Sequence, residues 1–345
     1  LAGFVVERAD SRQGFPGPLR LVDLGDCEIV RGYECPGVRA GWARWPGSRQ
    51  LTILEDRGRL LFVEGQPDRP PRPGEAARDW LDGRTGSFRG FEIEDPGGGG
   101  PARVCVFVDP LGTRPVFLLH RGDRVLAADK LSTVVANTPG LECAWPGLLE
   151  AAVLGALYSR GTTIRDVEQL GPGAIVEIDG VEISRRTGTT YPLTSAEHPT
   201  PDAAARLGEA LRTAIADTWT NPEGRLLLSG GLDSRLVLGL ADGKRKALTL
   251  DWFPEETPIA ERVAAACSAE LQLIPFRADD YDERMRHGYL VTGAAHDSRL
   301  VNNLGMATKW RRDGISAIVH GYFHNTIFRG WTAGRWQRHP DLGTP

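Results

Sequence analysis

The sequence predicts two folded parts of different class. Residues 1–190 read as a strand-rich α+β domain, residues 202–345 as an α/β domain with a parallel sheet, and 191–201 as the linker between them. Three observations carry this reading. Short apolar runs recur through the first part, most of them separated by Gly, Pro or Asp, as strands with tight connections are. The stretch 191–201 is rich in proline with Thr and Ser. Beyond it helical and strand patterns alternate, the order that produces a parallel sheet.

The strand candidates of the first part are LTIL at 51–54, LLFV at 60–63, FEIE at 91–94, VCVFV at 104–108, VFLL at 116–119, VLAA at 125–128 and IVEI at 175–178. The proline-rich 66–74 and the glycine run 97–100 read as exposed loops. Helices are expected around 75–82 and within 146–159. In the second part a helix starts after Thr200, with Pro201 at its first position and Leu207, Leu211 and Ile215 on one face. The run LLL at 226–228 reads as a buried strand leading into SGGLDS at 229–234. Leu232, Leu236, Val237 and Leu240 then give a helical apolar pattern. A strand at 247–253, a helix capped by Thr257 and started by Pro258, a strand at 271–276, a helical stretch within 300–312 and a strand at 317–320 complete the order.

A chain of 345 residues, 41% of them hydrophobic, is long enough for about two cores. Its formal charge of −4 gives no sign of nucleic-acid or membrane binding. The 5 cysteines (Cys27, Cys35, Cys105, Cys143 and Cys267) are scattered, odd in number and without C-x-x-C spacing. They predict free thiols in a reducing compartment rather than a zinc site or a disulfide framework. The sequence has no basic segment leading into an apolar run at its start, and no apolar run long enough for a membrane helix. A cytoplasmic location is the expectation.

The string SGGLDS carries the chemistry. Gly230 and Gly231 allow a sharp turn and a close approach of backbone to ligand. The helix that follows aims its free N–H groups and the positive end of its dipole at the same point. Ser229 and Ser234 add hydroxyl donors. Asp233 is anionic and unsuited to touch phosphate directly, but it fits a Mg²⁺ ion placed between carboxylate and phosphates. Two glycines alone would suit a corner whose only task is to turn; the whole string between strand and helix points to phosphate. No lysine follows the glycines, which sets the loop apart from the Walker type. SGGLDS resembles the pyrophosphate loop of the N-type ATP pyrophosphatases. These cleave ATP to AMP and pyrophosphate while activating a carboxyl or carbonyl group, and they include asparagine, GMP, NAD and argininosuccinate synthetases.

The first half selects a branch. DPLGTRPVF at 109–117, AADKL at 127–131, Gly86-Ser87-Phe88, and GTTI at 161–164 with Leu170 and Pro172-Gly173 resemble, in order and spacing, motifs of the glutaminase domain of asparagine synthetases. The chain is therefore similar to the asparagine synthetase family, which also contains β-lactam synthetases and lasso-peptide cyclases. The resemblance implies an N-terminal Ntn-hydrolase-like αββα sandwich followed by an ATP-pyrophosphatase domain, the adenine-nucleotide α-hydrolase type. It also exposes departures. Active glutaminases of the family carry an N-terminal cysteine nucleophile where this sequence has Ala2, whether Leu1 is a literal residue or an alternative start codon. A methyl group cannot attack an amide. The family's Asn-Gly oxyanion pair has Glu64-Gly65 as its nearest counterpart, and a carboxylate there would oppose an oxyanion.

In the second half, IVHGYFHNTIFRG at 318–330 aligns with the family's second Mg²⁺-pyrophosphate motif. Asn325 and Thr326 stand in place of its Asp and Glu, so Asn325 is a weak, uncharged ligand candidate beside Asp233. Asp297 falls where relatives carry an Asp near the nucleotide. His320 and His324 read as polar loop residues. Arg329 suits either pyrophosphate or solvent.

The resemblance implies carboxylate adenylation by ATP with Mg²⁺, followed by capture with ammonia or a substrate amine rather than glutamine. Ser229, Gly230, Gly231, Leu232, Asp233 and Ser234 would hold the pyrophosphate part. The backbone of 248–251, Leu250 included, would meet the adenine. A small-molecule or peptide carboxylate is the expected substrate. The alternative is a catalytically inactive nucleotide-binding partner module or a truncated pseudoenzyme. An RNA-thiolating pyrophosphatase is disfavoured by the absence of basic patches and zinc-spaced cysteines. The family's later helical segment, with its lysine, has no counterpart after Arg329. The expectation is that a second polypeptide supplies that region and that the chain is not a complete synthetase alone.

Overall fold

The computed structural model describes residues 3–9, 15, 18–21, 28–44, 50–97, 100–180, 182–191, 201–251, 255–275, 279, 281–292, 306, 310, 313–315 and 317–321. The chain divides into two compact units, Leu1–Thr194 with Tyr281–Thr308, and Ser195–Asp280 with Lys309–Pro345. The sequence reading had grouped 281–308 with 202–345.

The first unit runs β1 (Gly3–Arg8), β2 (Glu28–Cys35), β3 (Val38–Arg44), β4 (Leu51–Asp56), β5 (Arg59–Pro67), α1 (Ala77–Trp80), β6 (Gly86–Glu94), β7 (Arg103–Val108), β8 (Phe117–Arg121), β9 (Arg124–Ala128), α2 (Leu131–Asn137), α3 (Trp145–Leu154), β10 (Val167–Gln169), β11 (Ala174–Asp179) and β12 (Glu182–Thr187). The strands form two six-stranded antiparallel sheets, ordered β10-β8-β9-β1-β3-β2 and β12-β11-β7-β6-β5-β4. Their inner faces share one core. Phe4, Val6, Ala40 and Trp42 of one sheet pack with Leu60, Phe62, Phe91, Ile93 and Val106 of the other. Strand alternation sends the intervening residues outward. On one outer face Val5, Phe117 and Leu126 pack under Leu131 and Val134 of α2. On the other, Leu61, Val63, Phe88 and Phe107 pack under Ala77 and Trp80 of α1. The layers therefore run helix, sheet, sheet, helix, the order that the motif resemblance implied.

Phe62 and Phe91 lie stacked at 5.1 Å, and Phe4 tilts against both. Such contacts explain why this core consists of aromatics rather than branched aliphatics alone. Cys35 and Cys105 are free; burial pushes their thiols up to about 11 and about 12, so both stay protonated and unreactive at neutral pH.

The proline-rich stretch after β5 is pinned down. The Trp80 indole donates to the Arg69 carbonyl at 3.0 Å, and the Arg69 guanidinium forks onto Glu75 at 2.9 and 2.5 Å. Hydrogen bonding from Arg69 holds the Glu75 carboxyl down to about 2. A depressed carboxyl supplies its stabilisation above its unfolded pKa and loses it as pH falls through the folded value. Arg69→Ala should therefore raise the Glu75 pKa most of the way toward the ordinary carboxylate value of ~4.3, the Arg72 N–H still holding it somewhat low. A carbon-detected NMR pH titration of Glu75 checks this; a midpoint that stays near its original value would show that Arg69 is not the cause.

The second unit contains α4 (Ala203–Thr218), β13 (Arg225–Leu227), α5 (Leu232–Leu240), β14 (Lys246–Asp251), α6 (Thr257–Ala266), β15 (Glu270–Pro275) and, after α7 (Tyr281–Thr292) of the first unit, β16 (Ile318–Val319). Its four strands are parallel in the order β15-β14-β13-β16. Ile215, Trp219, Leu226, Leu228, Val237, Leu238, Ala247 and Ala260 make the core. The predicted parallel sheet is present, with two changes to the predicted helix faces. Leu232 and Leu236 are exposed; α5 buries Val237, as predicted, together with Ser234 and Leu238. On α4 Leu207 is exposed while Ile215 is buried. The described residues include no helix long and apolar enough to cross a membrane. The helical stretch expected within 300–312 lies largely outside the described residues.

Candidate functional site

Residues 229–231 form the turn between β13 and α5 and 232–234 open the helix, at the carboxyl end of a parallel strand, which is where α/β sheets bind ligands. Ser229 is a hub. Its N–H donates to Ser234 Oγ at 3.1 Å, its own Oγ lies 3.1 Å from that hydroxyl, and it accepts the Gly231 N–H at 3.1 Å. Ser234 is buried and also donates to the Ser229 carbonyl at 3.2 Å. It is thus an internal brace as well as a candidate donor. Ser229 and Gly231 are exposed, and Asp233 is half-buried in the first turn of α5.

Two residues that the sequence reading passed over shape this loop. Arg235 donates through Nη2 to the Gly230 carbonyl at 2.8 Å and through Nε to the Gly231 carbonyl at 3.2 Å. Those peptide planes are thereby fixed by their oxygens. Glu256, immediately before α6, accepts the Gly230 N–H on Oε2 at 3.1 Å. A Cβ on Gly230 would come within 3.1–3.3 Å of Glu256 Cγ, Cβ and Cα, a tight fit that would press Glu256 back by a few tenths of an ångström. Arg235, directly after the string, and the acidic residues before Thr257 were the available signals. Gly321, just past β16, is pressed onto Asp233 in the same way; its Cβ would lie 3.2 Å from the Asp233 carbonyl carbon.

Thr257 donates to Asp251 Oδ1 at 3.0 Å, tying the end of β14 to the start of α6. Leu250 lies half-buried near that strand end. Among the described residues no group of three or more His, Cys, Asp or Glu could hold a metal. A Mg²⁺ that keeps most of its waters and takes one protein carboxylate together with phosphate oxygens fits Asp233 alone. Asn325, Thr326, Asp297, His324, Arg329 and Ala2 lie outside the described residues.

The second constellation lies at one end of the core of the first unit. There the inward positions of β5 and β6 change from Phe62 and Phe91 to Glu64 and Arg89. Arg89 Nε and Nη2 each reach Glu64 Oε2 at 2.8 Å, and Nη2 reaches Asp129 Oδ2 at 3.1 Å. Its Nη1 donates to the Pro115 and Asp129 carbonyls at 2.7 and 3.1 Å. Burial opposes the charge of Arg89 most strongly, yet the Glu64 and Asp129 carboxylates outweigh it and hold the guanidinium above its ordinary value. Lys130 and the Phe4 N–H also bind Asp129, at 2.9 and 3.1 Å.

The scattered motif fragments meet here. Asp109, fully buried, accepts the N–H groups of Leu111, Thr113 and Arg114 and the Thr113 hydroxyl, folding 109–114 into a turn. That turn presents Arg114 to Glu64 at 3.3 Å, Gln50 at 2.9 Å and Ser87 at 3.2 Å. Gly173 N–H closes back onto the Asp109 carbonyl at 2.8 Å. Gly65, at φ 126°, has no room for a side chain: a Cβ would lie 2.1 Å from the Ser87 carbonyl oxygen.

The structure adds partners that the sequence does not show: both oxygens of Glu64 are engaged, by Arg89 and Arg114. A carboxylate so engaged still offers no hydrogen-bond donor to an oxyanion.

No protein-family model and no curated protein matches the chain. Two solved structures show a distant likeness. One is a structure of the allosteric regulatory enzyme of purine biosynthesis, 10% identical over 79% of this chain and 74% of that one, with a TM-score of 0.29. The other is glutamine phosphoribosylpyrophosphate amidotransferase from B. subtilis, complexed with ADP and GMP. It is 12% identical over 79% of this chain and 59% of that one, with a TM-score of 0.26. This chain thus spans less than two thirds of the second structure.

Proposed function

We propose that the chain is an asparagine synthase-like, ATP-dependent amide-bond-forming protein, with an Ntn-hydrolase-like first unit and a polyphosphate site on the loop 229–234. The single observation that supports this most is the placing of SGGLDS: a glycine loop between a parallel strand and the N-terminus of a nine-residue helix, open at Ser229 and Gly231. Free helix amides and the dipole favour an anion there. ATP is the proposed nucleotide, with Asp233 holding Mg²⁺; the ion would supply positive charge to the pyrophosphate leaving group. The reaction class is attack of a substrate carboxylate on the α-phosphate, release of pyrophosphate, and displacement of AMP by ammonia or a substrate amine. The test is ATP–pyrophosphate exchange with a panel of amino-acid and peptide carboxylates. Exchange dependent on one of them supports the reading. Nucleotide binding without exchange would support the inactive partner module instead.

Glutamine is not the expected nitrogen source. Glu64, the nearest counterpart of the family's oxyanion pair, is engaged by Arg89 and Arg114 and offers no donor to an oxyanion. Incubation with glutamine should release no glutamate above background; release abolished by a thiol-blocking reagent would overturn this.

A further inference from the structure

We propose that Glu256 sets which form of polyphosphate the loop accepts, admitting the metal-loaded anion and excluding the metal-free one; this rests on the reading of 229–234 as a polyphosphate site. The N-termini of α5 and α6, helices of nine and ten residues, meet at the contact of Gly230 with Glu256. Each of the three loop amides already has an acceptor in the chain. Ser229 N–H has Ser234 Oγ, Gly231 N–H has Ser229 Oγ, and Gly230 N–H has Glu256 Oε2.

These acceptors are not equivalent. A hydroxyl is neutral and rotates from accepting to donating when an anion arrives. An ionised carboxylate has no proton to offer, so its charge opposes the incoming phosphate at hydrogen-bond range. A divalent cation bound to the phosphate oxygens offsets that repulsion with its own positive charge. The guanidinium of Arg235 donates to the carbonyls of Gly230 and Gly231 rather than to this carboxylate. Glu256 thus acts as a specificity-determining residue, its carboxylate holding the Gly230 N–H that an incoming phosphate would compete for.

The test is calorimetric titration of the full chain with inorganic pyrophosphate, in EDTA and in excess Mg²⁺. The proteins compared are the parent, Glu256→Gln, Glu256→Ala and Gly231→Val. Loss of one like charge should tighten metal-free binding about tenfold in Glu256→Gln and leave Mg²⁺-loaded binding within about threefold. The Mg²⁺ dependence of binding therefore shrinks. Glu256→Ala, which also removes the acceptor, should behave alike if charge is the cause, and it stands in should the glutamine variant fold poorly. Unchanged or weaker metal-free binding in both Glu256 variants overturns the proposal, and an equal loss with and without metal shows a residue that only holds the loop. Where the parent binds pyrophosphate and Gly231→Val does not, such a result refutes the role of Glu256 and spares the site. Where the parent binds pyrophosphate in neither condition, the site falls and the proposal falls with it.

Discussion

Arg89→Ala should destabilise the first unit by about 3–5 kcal/mol, the usual cost of removing one partner from a buried ion pair. The substitution leaves Glu64 and Asp129, both nearly inaccessible to water, without the cation between them. It also strips donors from the carbonyls of Pro115 and Asp129. Arg114 and Lys130 remain, but each already serves one of the two carboxylates and cannot span both. The loss is large against the ~5–15 kcal/mol that holds an ordinary domain together. Arg89→Lys keeps the charge and loses the fork, so it should fall between the parent and the alanine variant. Urea denaturation followed by tryptophan fluorescence reads the effect as a lower midpoint at unchanged slope. A shift worth less than about 1 kcal/mol would mean that the network is solvated rather than buried, as exposed pairs are.

Parts of this molecule could be read directly from the residues, for physical reasons. The strands at 60–63, 104–108 and 125–128 are apolar on both faces because they lie between two buried layers, and such runs stand out. β3 does not stand out: Val38, Ala40 and Trp42 face the core, but they alternate with Arg39, Gly41 and Ala43, whose small members blur the period. α2 is rich in β-branched residues that favour strands. It is a helix because Leu131 and Val134 are needed over the outer face of a sheet, a demand that local propensity does not record.

The loop was legible because its turn, its helix start and its hydroxyls are neighbours in sequence. Glu256 and Gly321 were not, because their roles depend on β14 and β16 flanking β13 in the sheet. The same holds for Glu64. Its charge was visible, but its two arginine partners come from β6 and from a turn that the buried Asp109 folds.

Gly231→Val should abolish the proposed nucleotide binding while leaving the second unit folded, and the geometry explains why the two effects separate. Gly231 has φ −79° and ψ 160°, an extended conformation that valine adopts readily. The nearest atom to an added Cβ is the Ser229 hydroxyl at 3.2 Å, the movable end of a side chain at the surface. Little strain is therefore expected, beyond the modest cost of replacing glycine at a helix N-cap. The branched side chain would instead fill the space through which phosphate must reach the Gly231 and Leu232 amides. A loss of about a hundredfold in ATP affinity, near ~2.8 kcal/mol, is expected. Gly230→Ala is the poorer probe, since its Cβ would crowd Glu256 at 3.1–3.3 Å and so disturb a second residue of the loop's surroundings. Asp233→Asn should lower affinity about tenfold in Mg²⁺ and little in EDTA, because it removes a charged metal ligand. It also removes a carboxylate from the first turn of α5, costing the helix about 0.3–1 kcal/mol. Thermal melting measures that cost separately from binding. Calorimetry with ATP in the presence and absence of Mg²⁺ decides the matter. If both variants bound as the parent does, the glycines would serve only the corner between β13 and α5, and the polyphosphate site would have to be sought elsewhere.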